Sequence, residues 1–159
     1  MRACAFMIIF ICSFSAGIYK ALCLRKRRES LEAFLNFLND AAFEIRERHS
    51  DVFEIAGNTS FILFDNCIDG FCDFSSLYKK AKEKNLWKLE LGKNDLVLMD
   101  GFFADFGKGS SEEQLTSCEN TERKVERLLK EADTREKKYG KIYSLLGAVT
   151  GIGIIIFLL

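Results

Sequence analysis

Proline is absent from all 159 residues. The commonest interruption of a helix is therefore missing along the whole chain, and the expectation is an all-α protein. Histidine occurs once, as His49, and tryptophan once, as Trp87. With a single histidine, no HExxH run and no second close cysteine pair beside Cys67-x4-Cys72, no metal-ligand spacing is present. There is also no phosphate loop, no glycine-rich dinucleotide turn and no nucleophile elbow. Acidic residues are scattered as on helix surfaces, so no general acid–base pair stands out. The expectation is no catalytic residue, no metal and no cofactor, and a chain that is not an enzyme.

Charge is nearly missing from both ends. Ala3 to Tyr19 is apolar but for Ser13 and Ser15, and Ile142 to Leu159 carries no charge of either sign. A bilayer core takes roughly 20 apolar residues of helix, a length the second stretch reaches with Tyr139 and Gly140. Basic residues border both runs on the side facing the middle: Arg25, Lys26, Arg27 and Arg28 after the first, Lys137, Lys138 and Lys141 around the start of the second. Positive flanks stay on the cytoplasmic side and determine topology. The pattern predicts a membrane hairpin with a transmembrane segment over residues 1–24, a cytoplasmic helical domain over 25–139 and a second transmembrane helix over 140–159. A cleaved signal peptide fits less well, because the basic block follows the apolar run, where it stops transfer. Gly147-x3-Gly151 in the second run is a spacing that lets membrane helices approach closely, and both glycines are candidate helix-packing positions.

Between the runs, Glu29 to Tyr139 holds all 23 acidic residues against 16 basic ones, a net of −7 in a chain that is neutral as a whole. An acidic domain does not fit a nucleic-acid partner; the basic blocks fit anionic headgroups. Cys67, Cys72 and Cys118 read as small buried side chains in a reducing compartment. Leu31, Phe34, Leu35, Leu38, Ala41, Ala42 and Ile45 form one stripe of a helix running out of the first span. Ser50 is expected to cap a short helix with Val52, Phe53, Ile55 and Ala56, followed by a turn at Gly57-Asn58-Thr59. A further helix capped by Thr59 or Ser60 is expected over Phe61 to Phe64, a short continuous apolar run for which a β-strand is the competing reading. A turn at Asp69-Gly70 follows, and then a helix from Ser75 or Ser76 through Leu77, Tyr78 and Ala81. Asn94 is expected to cap a helix with Leu96, Val97, Met99, Phe102, Phe103 and Phe106, closed by Gly107. Ser110 and Glu113 form a capping-box pattern that opens a long charged helix continuing toward the second run. Its acidic edge, Glu122, Glu126 and Glu131, is a candidate surface for a basic partner. Trp87, with the largest apolar side chain of the domain, is expected to be buried.

The order of these features resembles the stage III sporulation protein AB family of endospore-forming bacteria. The likeness is carried by Gly140-Lys141-Ile142-Tyr143-Ser144-Leu145-Leu146-Gly147-x3-Gly151, by Glu44-Ile45, by Trp87 ahead of Leu91-x3-Asp95, by Phe102 and Phe106-Gly107, and by Gln114 at the start of the long helix. Phe102-Phe103 and Gly109-Ser110 depart from the family pattern. The resemblance implies a non-catalytic platform subunit of the secretion-like channel complex between mother cell and forespore, needed for endospore formation. It implies a place in the cell membrane on the mother-cell side of the forespore membranes. It also implies partners: an ATPase resembling stage III sporulation protein AA, and other stage III membrane subunits. The alternative is a membrane-tethered regulatory or adaptor hairpin outside sporulation.

Overall fold

The computed structural model describes residues 2–48, 51–67 and 74–158, less the side chains of residues 2–6, 9, 10, 144, 155, 157 and 158. His49, Ser50, the Asp69-Gly70 turn, Cys72, Met1 and Leu159 lie outside the described residues. Among those described, helices are the only regular structure and the protein is all-α. The order is α1 (Arg2–Phe43), a π turn (Glu44–Arg48), α2 (Val52–Asn58), a 3-10 turn (Ile62–Phe64), α3 (Phe74–Asn85), a 3-10 turn (Leu86–Lys88), α4 (Lys93–Asp105) and α5 (Ser111–Leu158). Among the described residues no helix is long and apolar enough to cross a membrane.

The helix ends follow local chemistry. The Asp51 side chain accepts from the Val52 N–H at 2.8 Å and caps α2. Thr59, expected in a turn leading to the next helix, instead closes α2: its N–H donates to the Ile55 carbonyl at 3.1 Å. Gly57 and Asn58 are thereby helical, and the helix expected at Phe61 to Phe64 reduces to a 3-10 turn. Three residues cannot pay for an α-helical nucleus. α3, Phe74–Asn85, includes both expected serines, Ser75 and Ser76. The cap of α4 is Gly92 rather than Asn94: the Asp95 carboxylate accepts the Gly92 N–H at 2.8 Å. The α5 capping box forms as expected, Ser110 N–H donating to Glu113 Oε2 at 2.9 Å and Glu113 N–H to Ser110 Oγ at 3.3 Å.

The chain divides into two compact units, Glu29–Lys130 and the paired ends Met1–Arg28 with Glu131–Leu159. The core of the middle unit is a block of phenylalanines. Phe37 lies 5.3 Å from Phe61, 5.7 Å from Phe64 and 5.4 Å from Phe103, ring centre to ring centre. Phe34, Phe74, Phe102 and Phe106 complete it, and Tyr78 stacks on Phe103 at 4.6 Å. Offset and edge-on rings at these separations add attraction beyond the area they bury. Of the stripe along α1 and the π turn, Leu31, Phe34, Leu38, Ala41 and Ile45 are buried and Leu35 and Ala42 partly so. Asn85 is a buried polar member; its amide donates to the Leu63 carbonyl at 2.9 Å and the Asp65 carbonyl at 3.0 Å.

Trp87 is not buried. It is 80% exposed, and its indole N–H donates to the Lys84 carbonyl at 2.9 Å. The phenylalanine block already fills the interior, and the indole's polar edge serves an otherwise orphaned carbonyl in the last turn of α3.

Candidate functional site

Two surfaces have the character of contact sites. The first is a groove of about 520 Å³ on the middle unit, lined by Asn39, Ala42, Phe43, Arg46 and Glu47 of α1 and the π turn, and by Glu119, Glu122, Arg123 and Glu126 of α5. The spacing of α1 explains it: Phe43 falls off the buried stripe and is 56% exposed. Arg46 and Glu119 pair across the groove at 3.3 Å. Glu122 and Glu126 lie one turn apart beyond them. Glu131, the third residue of the expected acidic edge, belongs to the other compact unit, where it pairs with Arg135 at 2.7 Å.

The second surface is the terminal unit, where α1 and α5 pack on each other. A Cβ on Gly17 would stand 2.5 Å from the Tyr143 carbonyl oxygen and 3.1 Å from Gly147 Cα; one on Gly147 would stand 2.9 Å from the Ser13 carbonyl oxygen. Both positions therefore require glycine. Ser13 Oγ donates to the Gly147 carbonyl at 3.0 Å, which satisfies the hydroxyl inside the contact. Gly151, on the same face one turn on, is buried. At the other end of the unit Arg28 Nε pairs with Glu136 at 2.8 Å, both half-buried. Outward, Met7, Ile8, Leu145, Val149 and Ile156 are each more than 60% exposed.

The remaining basic-flank residues differ in their surroundings. Arg25, Lys26 and Lys141 are exposed and Arg27 is half-buried. Lys137 pairs with Asp133 at 2.7 Å, and Lys138 sits 5.2 Å from the Tyr139 ring centre. The family-like positions are mostly structural in placement. Glu44 and Ile45 are buried in the π turn, where Arg48 donates to Glu44 at 2.9 Å. Asp95 is buried at its cap. Gly107 takes φ +84°, a left-handed value suited to glycine just past a helix. Gln114 Nε2 donates to the Gly109 carbonyl at 3.4 Å. Tyr143 supplies the backbone oxygen facing Gly17.

A polar cluster joins α3 to α4. Tyr78 donates to Asp100 Oδ1 at 2.5 Å, and Lys82 Nζ donates to both Asp100 oxygens at 2.7 Å. Burial, then the Asp100 carboxylate, push the Tyr78 hydroxyl well above its ordinary range, so it is a proton-holding donor and not a base. Burial works to raise Asp100, but the Lys82 and Tyr78 hydrogen bonds outweigh it and hold the carboxyl below its ordinary range. Burial also pushes the Cys118 thiol up to about 12, with Glu119 and Glu122 adding to it, which keeps it an inert thiol at neutral pH. Among the described residues no three His, Cys, Asp or Glu side chains gather as a metal site.

Sequence reasoning passed over Phe37, Phe43, Asn85 and Gly17. Phe37 and Phe43 differ in burial although both are phenylalanines of one helix, and only their angular position separates them. Gly17 carries no local signal, since its partner Gly147 lies 130 positions along the chain.

In class, this is an all-α protein whose first and last helical stretches form one compact unit and whose middle forms another. The family model described as stage III sporulation protein AB matches residues 2–159. The chain belongs to that family, and its role lies in stage III of sporulation. Comparison with curated proteins and with solved structures gives no match.

Proposed function

We propose that the protein is a non-catalytic membrane platform subunit of the channel complex between mother cell and forespore. The terminal unit anchors it in the cell membrane on the mother-cell side, with the middle unit in the cytoplasm. The observation that carries this reading is the inverted pattern of the terminal unit. Glycines and a satisfied serine meet inside, while large aliphatic side chains face outward. In water, an exposed apolar surface of that extent is a liability. In lipid, small-residue contacts and hydrogen-bonded hydroxyls are how helices associate. Each apolar run is marginal as a separate span, and pairing removes the Ser13 hydroxyl and the backbone crossing from lipid contact. The tyrosine and basic side chains around residues 137–143 suit the interfacial level.

The middle unit is the docking module of this proposal. Its groove offers Phe43 as an aromatic anchor and an excess of acids, Glu47, Glu119, Glu122 and Glu126 against Arg46 and Arg123, which suits a basic, apolar-tipped surface on an ATPase resembling stage III sporulation protein AA. Affinity purification of the full chain from sporulating cells should place it in the membrane pellet and co-purify that ATPase. The triple variant Phe43→Ala, Glu122→Lys, Glu126→Lys should keep the membrane fraction and lose about tenfold of the ATPase, with salt reproducing the loss. Undiminished ATPase capture by the variant refutes this docking face.

A further inference from the structure

At the end of the terminal unit marked by the Arg28–Glu136 pair, α1 and α5 part to leave a notch of about 380 Å³. Its floor is apolar, from Ile18, Ala21 and Leu22 of α1. Its rim carries Arg25 from α1 and, from α5, Lys141 and Lys137, the last with its charge answered by Asp133 at 2.7 Å. The single acid at the rim, Glu136, has its charge answered by Arg28. Gly140 lies between Lys137 and Lys141 on the same edge. A Cβ there would meet nothing within 4 Å; unlike Gly17 and Gly147, this glycine is not required by a close backbone approach. A glycine inside a helix is destabilising relative to alanine, and its effect here is to leave the notch open.

An apolar floor under a cationic rim is complementary to one chemical class, an anionic amphiphile. We propose that the notch is a binding site for a single anionic phospholipid, the acyl chain lying along Ile18, Ala21 and Leu22 and the headgroup phosphate meeting Arg25 and Lys141. The site rests on the membrane reading of the terminal unit. It differs from general attraction between a basic segment and an anionic leaflet because it needs the cavity at Gly140 as well as the charge.

The test is native mass spectrometry of the full chain in a mild non-ionic detergent, titrated with dioleoyl phosphatidylglycerol, dioleoyl phosphatidylcholine and, separately, glycerol phosphate. One phosphatidylglycerol should be retained at least about fivefold more readily than phosphatidylcholine, given that each basic side chain near an anionic lipid contributes roughly that factor. Gly140→Leu fills the notch and leaves every charge in place; it should bring phosphatidylglycerol retention down to the phosphatidylcholine level. The double variant Arg25→Gln, Lys141→Gln, which alters only exposed side chains, should do the same and carries the test if Gly140→Leu accumulates poorly. Glycerol phosphate should not displace the lipid, because it has no chain for the floor. Equal retention of both lipids by the unaltered chain, or unchanged retention by a folded variant, overturns the proposal, as does displacement by glycerol phosphate. Extraction by alkaline carbonate separates the two readings. Release of the unaltered chain from membranes defeats the anchorage and the notch together, whereas a chain that stays in the membrane but keeps its lipid as Gly140→Leu defeats the notch alone.

Discussion

Asp95 has two tasks at one atom pair: it accepts the Gly92 N–H at 2.8 Å and places negative charge at the positive end of α4. Replacing it with alanine leaves the half-buried Gly92 N–H without its cap, so Asp95→Ala should destabilise the middle unit by about 1 kcal/mol in urea unfolding. Asp100 makes a prediction with a pH signature. Its folded-state pKa is depressed, so its contribution is complete above the ordinary carboxylate value of about 3.9 and fades as pH falls through the lower folded value. Because the side chain is 41% exposed, solvent screening limits the charge contribution to roughly 0.5–1 kcal/mol. The stability gap between the native chain and Asp100→Asn should therefore be present at pH 7 and narrow as pH falls below about 4; a gap that does not narrow there contradicts the assignment. Trp87 illustrates how a side chain's size misleads when its polar edge has a partner outside the core.

Among the elements, α1 and α5 matter most, because their contact in the terminal unit depends on two absent side chains. Gly17→Ala would drive a methyl group to 2.5 Å from the Tyr143 carbonyl oxygen. The overpacking should cost roughly 1–3 kcal/mol, read as a lower thermal midpoint of the full chain in detergent. Gly153 is the internal control. A Cβ there meets nothing within 4 Å, so Gly153→Ala should leave the midpoint unchanged or raise it. Equal effects of the two substitutions would mean that helix propensity, and not the crossing, governs both. Within the middle unit, Glu122 and Glu126 of α5 share the groove with Glu119.

At the scale of the whole molecule, the middle unit has its own core, from Phe34 on α1 to Val125 on α5. Residues 29–130 expressed alone should therefore be soluble and mainly helical by circular dichroism. Their tryptophan emission should be that of a water-exposed indole and should barely shift on unfolding, since Trp87 is 80% exposed already. A blue-shifted maximum that moves on unfolding would show the indole to be inside. The terminal unit should behave in the opposite way and require detergent or lipid, because its outer face is apolar where the middle unit's is charged.

Sequence by itself determined what depends on neighbours within a turn or two of chain. The absence of proline and the three- and four-residue apolar spacing led to helices, and the Ser110–Glu113 pair marked the start of α5. The burial of Leu31, Phe34, Leu38, Ala41 and Ile45 was legible for the same reason: a helical stripe is a local property. Short elements were less legible. The residues around Gly57 and Phe61 could cap, turn or continue a helix, and the choice rested on which carbonyl the Thr59 N–H reached. Tertiary structure alone decided that Phe37 lies at the centre of the ring block while Phe43 lines a groove, and that Trp87 stays outside. It also brought Ser13 within 3.0 Å of the Gly147 carbonyl across 134 positions of sequence. The Gly147-x3-Gly151 spacing marked one side of such a contact, but which residues it meets depends on how two helices lie against each other, and nothing near Gly147 records Ser13 as its partner.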